Sequence, residues 1–138
     1  LSVGRGTDTP FEVVGAPWID GQELAAYLND RRIPGVRFVP VRFTPKSSVF
    51  KDEECSGVNI IITDRALFRP VSNGLEIAVG LRRLYPSRWK VADYFRLLVN
   101  ADTLERLKRG DSTAEIVGSW SVGLDEFRKA RARALLYQ

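Results

Sequence analysis

The sequence predicts an α/β domain: a small mixed β-sheet of three or more strands covered by helices, with a helix-rich C-terminal half. Three observations carry that expectation. Gly57-Val58-Asn59-Ile60-Ile61-Ile62-Thr63 is almost continuously apolar and β-branched, as a strand buried on both faces is. Leu24, Tyr27 and Leu28 stand at helical spacing between two further β-rich runs. From Ser72 onward apolar residues recur at helical steps, interrupted by Pro86 and Gly110.

Taken in order, Phe11 to Gly15 reads as a short strand bounded by Pro10 and the Gly15-Ala16-Pro17 break. Asp20 stands where an N-cap belongs, ahead of a helix that ends at Ile33-Pro34-Gly35. Val36 to Phe43 is the second strand. Pro40 donates no ladder bond, so this strand lies at an edge or bulges there. Thr44 to Gly57 is a long polar loop. The Gly57–Thr63 strand follows and delivers Thr63-Asp64-Arg65 at its carboxyl end, where ligands gather in open α/β sheets.

The remainder is helical. Ser72 is a candidate cap for Gly74 to Leu84. Trp89 lies in the connection, and short helices are expected over Ala92–Asn100, Thr103–Arg109 and Thr113–Gly118, the last capped by Asp111 or Ser112. A final helix runs from Leu124 to Tyr137, capped by Ser121, with Leu124, Phe127, Ala130, Ala134 and Leu135 as its inward stripe. The helix between the first two strands predicts a right-handed parallel crossover. No repeat or internal linker divides the chain, so residues 1–138 are expected to form a single domain.

Composition narrows the chemistry. The sequence has no histidine and a lone cysteine, which excludes histidine-based triads, the common zinc sets and an internal disulfide. Cys55 reads as a small buried hydrophobe. No acidic spacing matches a calcium loop, so neither metal nor cofactor is expected. The net charge of +4 is a mild excess rather than a nucleic-acid signature, and its cations fall on helical segments that read as solvated faces. Nucleic acid and membrane are therefore not expected partners; no apolar run is long enough to cross a bilayer, and no signal-peptide pattern opens the chain. The chain starts at Leu1 and lacks methionine, from which a fragment or processed product is expected.

The opening stretch, Gly4-Arg5-Gly6-Thr7-Asp8-Thr9-Pro10-Phe11-Glu12 through Gly15-Ala16-Pro17-Trp18, has neither helical nor strand period. It combines glycines that turn tightly, a guanidinium fork, hydroxyls and aromatic faces, a set suited to a polar, ring-like ligand. It fails the dinucleotide template, because Thr9 stands where the third glycine belongs, and no Gly-Lys-Ser/Thr follows. Glu12 is the one acid in this stretch with a chemical reading: burial would raise its pKa and suit it to the role of a general acid. Pairing with Arg5 or Arg42 is its structural alternative, as capping and mutual pairing are for Asp64 and Arg65.

Gly-Arg-Gly-Thr, Pro-Phe-Glu and Gly-Ala-Pro-Trp, with Phe43-Thr44-Pro45, Cys55-Ser56-Gly57-Val58, Thr63-Asp64-Arg65, Leu84-Tyr85-Pro86 and Leu135-Leu136-Tyr137, resemble the C-terminal part of the NamZ-type bacterial exo-β-N-acetylmuramidases. The resemblance implies an accessory, C-terminal domain of a larger two-domain enzyme, whose Rossmann-like N-terminal domain carries the main carboxylate. It implies hydrolysis of terminal β-linked N-acetylmuramic acid from peptidoglycan, in a secreted or periplasmic setting, with this domain forming one wall of the cleft and inactive alone. Arg5, Gly6, Thr7, Phe11, Glu12, Trp18, Asp64 and Arg65 are the substrate-binding candidates, with Arg5 for the lactyl carboxylate or an acetamido oxygen and Trp18 or Phe11 for the sugar face. Glu12 is the candidate for a catalytic role within this chain. The alternative is a stand-alone carbohydrate- or wall-binding module.

Overall fold

The computed structural model describes residues 1–136. They form two compact units, one over Leu1–Lys90 and the other from Val91 onward.

The first unit holds β1 (Val13–Ala16), α1 (Gly21–Asp30), β2 (Val36–Phe43), β3 (Cys55–Ile62) and α2 (Pro70–Leu84). The sheet order is β1-β3-β2, with β3 central as its apolar run predicts. Both neighbours pair with β3 antiparallel, Val13 opposite Asn59 and Val36 opposite Ile62. β1 and β2 therefore run in the same direction, as the crossover predicts, but with β3 between them. Pro40 sits opposite Val58 on an edge strand, where its missing N–H costs no ladder bond. Ser2 bridges Gly15 on the outer side of β1, exchanging both backbone hydrogen bonds at 2.9 and 3.0 Å.

Asp20 caps α1 as expected, its Oδ1 accepting from the Gln22 and Glu23 amides at 2.8 and 3.1 Å. The helix lies close on the sheet because of glycine. A Cβ on Gly21 would strike the Gly57 carbonyl oxygen, and one on Gly57 would strike the Val14 carbonyl. Leu24, Leu28, Val58, Phe38, Leu75 and Leu81 fill the core beneath. Cys55 is buried and free, and burial raises its thiol pKa. The carboxyl end of β3 is more open than its sequence predicts: Ile61 and Ile62 are exposed at 40% and 45%.

Several boundaries differ from the sequence expectation. β1 begins at Val13 rather than Phe11, because Phe11 holds a left-handed backbone with φ 69°. α2 begins at Pro70, with Arg69 and not Ser72 in the cap position. Proline at the first helical position has its φ preset and needs no amide there.

The end of α2 is tied back to the start of α1. The Tyr85 hydroxyl donates towards the Glu23 carboxylate at 3.0 Å and the Asp20 carbonyl at 3.1 Å, and accepts from the Asp20 amide at 3.2 Å. Burial, reinforced by the Glu23 contact, pushes its pKa up to about 12. Trp18 meets the Tyr85 ring edge-on at 5.6 Å.

The second unit contains a 3-10 turn (Val91–Tyr94), α3 (Phe95–Leu98), α4 (Ala101–Arg109), α5 (Thr113–Gly118) and α6 (Ser121–Ala132). Asn100 caps α4, and Gly110 closes it with φ 92°. Ser112 and Glu115 make a reciprocal capping box on α5. The Trp120 indole N–H donates to Thr103 Oγ1 at 3.0 Å, joining the end of α5 to α4. Three cations pair with acids along exposed helix faces: Arg106 with Asp102, Lys108 with Glu105 and Arg128 with Asp125.

α6 departs from expectation. It starts after Trp120 at Ser121, and none of its residues is buried. Leu124 and Phe127 stand 41% and 60% exposed, so the apolar stripe does not face a core. Helical spacing identifies the face that favours cover, but it does not supply the covering element. The helix ends at Ala132 with Arg133 in the cap position, so Ala134 and Leu135 of the expected stripe are not helical, and Tyr137 lies outside the described residues.

Candidate functional site

The opening loop is built around left-handed turns. Gly4 and Gly6 have φ values of 77° and 83°. A Cβ on Gly6 would lie 2.5 Å from the Ser47 backbone nitrogen, so the loop lies directly against the Thr44–Glu54 connection. The Gly6 carbonyl also accepts from the Lys46 amide at 2.8 Å. Thr7 serves the turn: its hydroxyl donates to the Gly4 carbonyl at 2.7 Å and accepts from the Thr9 amide at 3.2 Å.

Arg5 and Phe11 are displayed together. The Arg5 guanidinium lies 5.4 Å from the centre of the Phe11 ring, and that ring is 64% exposed. The Phe11 amide donates to the Val3 carbonyl at 2.7 Å, which holds the left-handed conformation in place. Glu12 is exposed beside it, and its carbonyl accepts from the Ile60 amide at 2.8 Å. Arg42, a partner expected for Glu12, pairs instead with Glu54 at 3.5 Å.

Antiparallel pairing places the amino end of β1 beside the carboxyl end of β3. Phe11 and Glu12, which lead into β1, therefore lie towards the end of the sheet at which β3 delivers Asp64 and Arg65. Asp64 Oδ1 accepts from the Ala66 and Leu67 amides at 2.8 and 3.3 Å, so its carboxylate shapes the turn that presents the exposed Arg65. Trp18 is not brought to this end. It follows β1 at the opposite end, edge-on to Tyr85.

That opposite end contains a hollow the sequence reading did not identify. About 700 Å³ in volume, it is lined by Pro17, Asp20, Gln22, Pro40, Arg42 and Glu54 among others. The residues come from the β1–α1 connection, the first turn of α1, the end of β2 and the approach to β3, segments far apart in sequence. A signal existed only in the pairing: once Arg42 is opposite Ser56, Glu54 and the α1 cap must meet near it. Among the described residues no cluster of acidic, cysteine or histidine side chains is arranged to hold a metal ion.

Fold and loop thus define a small α/β domain with a polar, aromatic display at one sheet end. The family described as "Exo-beta-N-acetylmuramidase NamZ, C-terminal" matches residues 1–137, and the chain belongs to it. The chain is similar to the peptidoglycan beta-N-acetylmuramidase NamZ of Bacillus subtilis (strain 168), at 35% identity over 140 residues. The match takes in 99% of this chain and 34% of that protein, so the chain spans about a third of its relative's length. It also resembles the crystal structure of a DUF1343 family protein from Bacteroides fragilis NCTC 9343, with a TM-score of 0.73 and 27% identity. That likeness covers 99% of this chain and 38% of the other.

Proposed function

We propose that this chain is the accessory domain of a peptidoglycan-processing exo-β-N-acetylmuramidase and forms one wall of its substrate cleft. Family membership across residues 1–137 is the observation that carries the reading. The Arg5–Phe11 display supports the wall's position. A left-handed phenylalanine kept exposed in a well-bonded loop is strain that the core does not require, and such strain collects at functional sites.

In this reading the Phe11 ring meets the apolar face of a terminal N-acetylmuramic acid residue. Arg5 binds its lactyl carboxylate or acetamido oxygen, and Arg65 reaches a hydroxyl from the neighbouring turn. The Gly6 and Thr7 backbone and hydroxyl groups hold the loop in shape, and Asp64 orients Arg65. Glu12 lines the wall; a Rossmann-like N-terminal domain supplies the main carboxylate for hydrolysis of the β-glycosidic bond. The place of work is where peptidoglycan lies, outside the cytoplasmic membrane.

The test is release of N-acetylmuramic acid from a chromogenic muramide, by the 138-residue chain and by a longer chain carrying the N-terminal domain of this family. Activity in the longer chain alone is expected. Activity in the short chain would move Glu12 into the catalytic role, and silence in both would favour a wall-binding module.

A further inference from the structure

We propose that the hollow at the start of α1 binds a neutral, polyhydroxylated ligand, one saccharide unit of a glycan. It shares no lining residue with the Arg5–Phe11 display.

The chemistry of the lining selects the class. Helix amides normally favour an anion, but here they are already engaged: Gln22 and Glu23 donate to Asp20 Oδ1, and Gly21 donates to Ser56 Oγ at 3.0 Å. What faces the space is a set of side chains of mixed character. Asp20 and Glu54 supply carboxylates, Arg42 a guanidinium, and Gln22 an amide that both donates and accepts. A phosphate or other polyanion meets two carboxylates against one guanidinium. A sugar hydroxyl donates to a carboxylate and accepts from Arg42 or Gln22 at the same time.

The Arg42–Glu54 pair is 3.5 Å apart, with side chains 77% and 67% exposed, so each keeps capacity for further hydrogen bonds. Pro17, Ile19, Pro40 and Val41 offer C–H surface for the apolar face of a pyranose. The volume of about 700 Å³ falls within the ordinary range for small-molecule sites. The choice of an acetylated amino sugar as occupant rests on the muramidase reading; the preference for a neutral polyol does not.

The experiment is a titration of the 138-residue chain with N,N′-diacetylchitobiose, followed through its backbone amide resonances by NMR. Saturable shifts at Gly21, Gln22 and Ser56 are expected. Gln22→Ala and Arg42→Ala, both at exposed side chains, should each weaken binding by about tenfold, the value of one good hydrogen bond. Absence of saturable shifts, or shifts confined to Arg5–Glu12, would overturn the assignment. So would unchanged affinity in both variants, or inorganic phosphate displacing the sugar at the same amides. Binding at the hollow with no muramidase activity in any chain would leave this site standing and remove the enzyme reading instead.

Discussion

At the scale of single residues, Tyr85 shows how a side chain joins fold and charge. Its hydroxyl is buried among the Asp20 backbone and the Glu23 carboxylate, where a phenolate is disfavoured. The folded pKa of about 12 lies above the usual 10.0, so the unfolded chain releases the proton first. The stabilisation is intact below pH 10 and disappears as pH rises towards 12. Urea unfolding of the wild type should therefore weaken steeply across that window, and Tyr85→Phe should flatten the slope. At neutral pH the same variant should cost about 1 kcal/mol, the net worth of a hydrogen bond. Gly6→Ala is a second residue-scale test. Its positive φ and the Ser47 backbone in the way should cost more than about 1 kcal/mol by thermal melting. Arg5→Ala, by contrast, removes only an exposed guanidinium. In a longer chain carrying the N-terminal domain, the proposed wall role predicts turnover reduced at least about tenfold with the melting temperature unchanged, as loss of a charge-assisted contact does.

At the scale of elements, legibility followed local chemistry. Asp20, Ser112 and Gly110 mark helix ends through bonds to their own neighbours, which sequence reveals directly; Asn100, expected inside the preceding helix, caps α4 instead. β3 was legible because an unbroken branched run has few other uses, and Pro40 because its missing donor belongs at an edge. Phe11 was not legible: its left-handed backbone depends on a bond to Val3 and on the packing of the glycine turns. Ser72 looked like a cap, but Pro70 started the helix earlier. The hollow was hidden for a similar reason, since Gln22, Arg42 and Glu54 meet only through sheet register. The α5 capping box offers an element-scale prediction. Ser112→Ala removes a bond to the Glu115 amide and one to its carboxylate, and should cost about 1 kcal/mol by chemical denaturation.

At the scale of the whole molecule, Cys55 is a built-in reporter. Its side chain is fully enclosed in the first unit, and burial holds the thiol protonated. Labelling by a thiol reagent should proceed only through opening of that unit, and its rate should rise in parallel with urea unfolding followed by tryptophan fluorescence. Labelling at the rate of a free peptide thiol in the native state would contradict the enclosed core. The sequence supplied the family resemblance and the broad architecture, because those depend on many positions together. It did not supply the division near Lys90, where no glycine- or proline-rich linker marks the change.

The bridge between Ser2 and Gly15 has a mechanical meaning. Two residues into the sequence the backbone is already bonded to the rim of the sheet. A pull or twist arriving along the backbone is delivered to β1, and through its hydrogen bonds to β3. The bridge behaves as a pin set into the plate rather than as a rope tied to it.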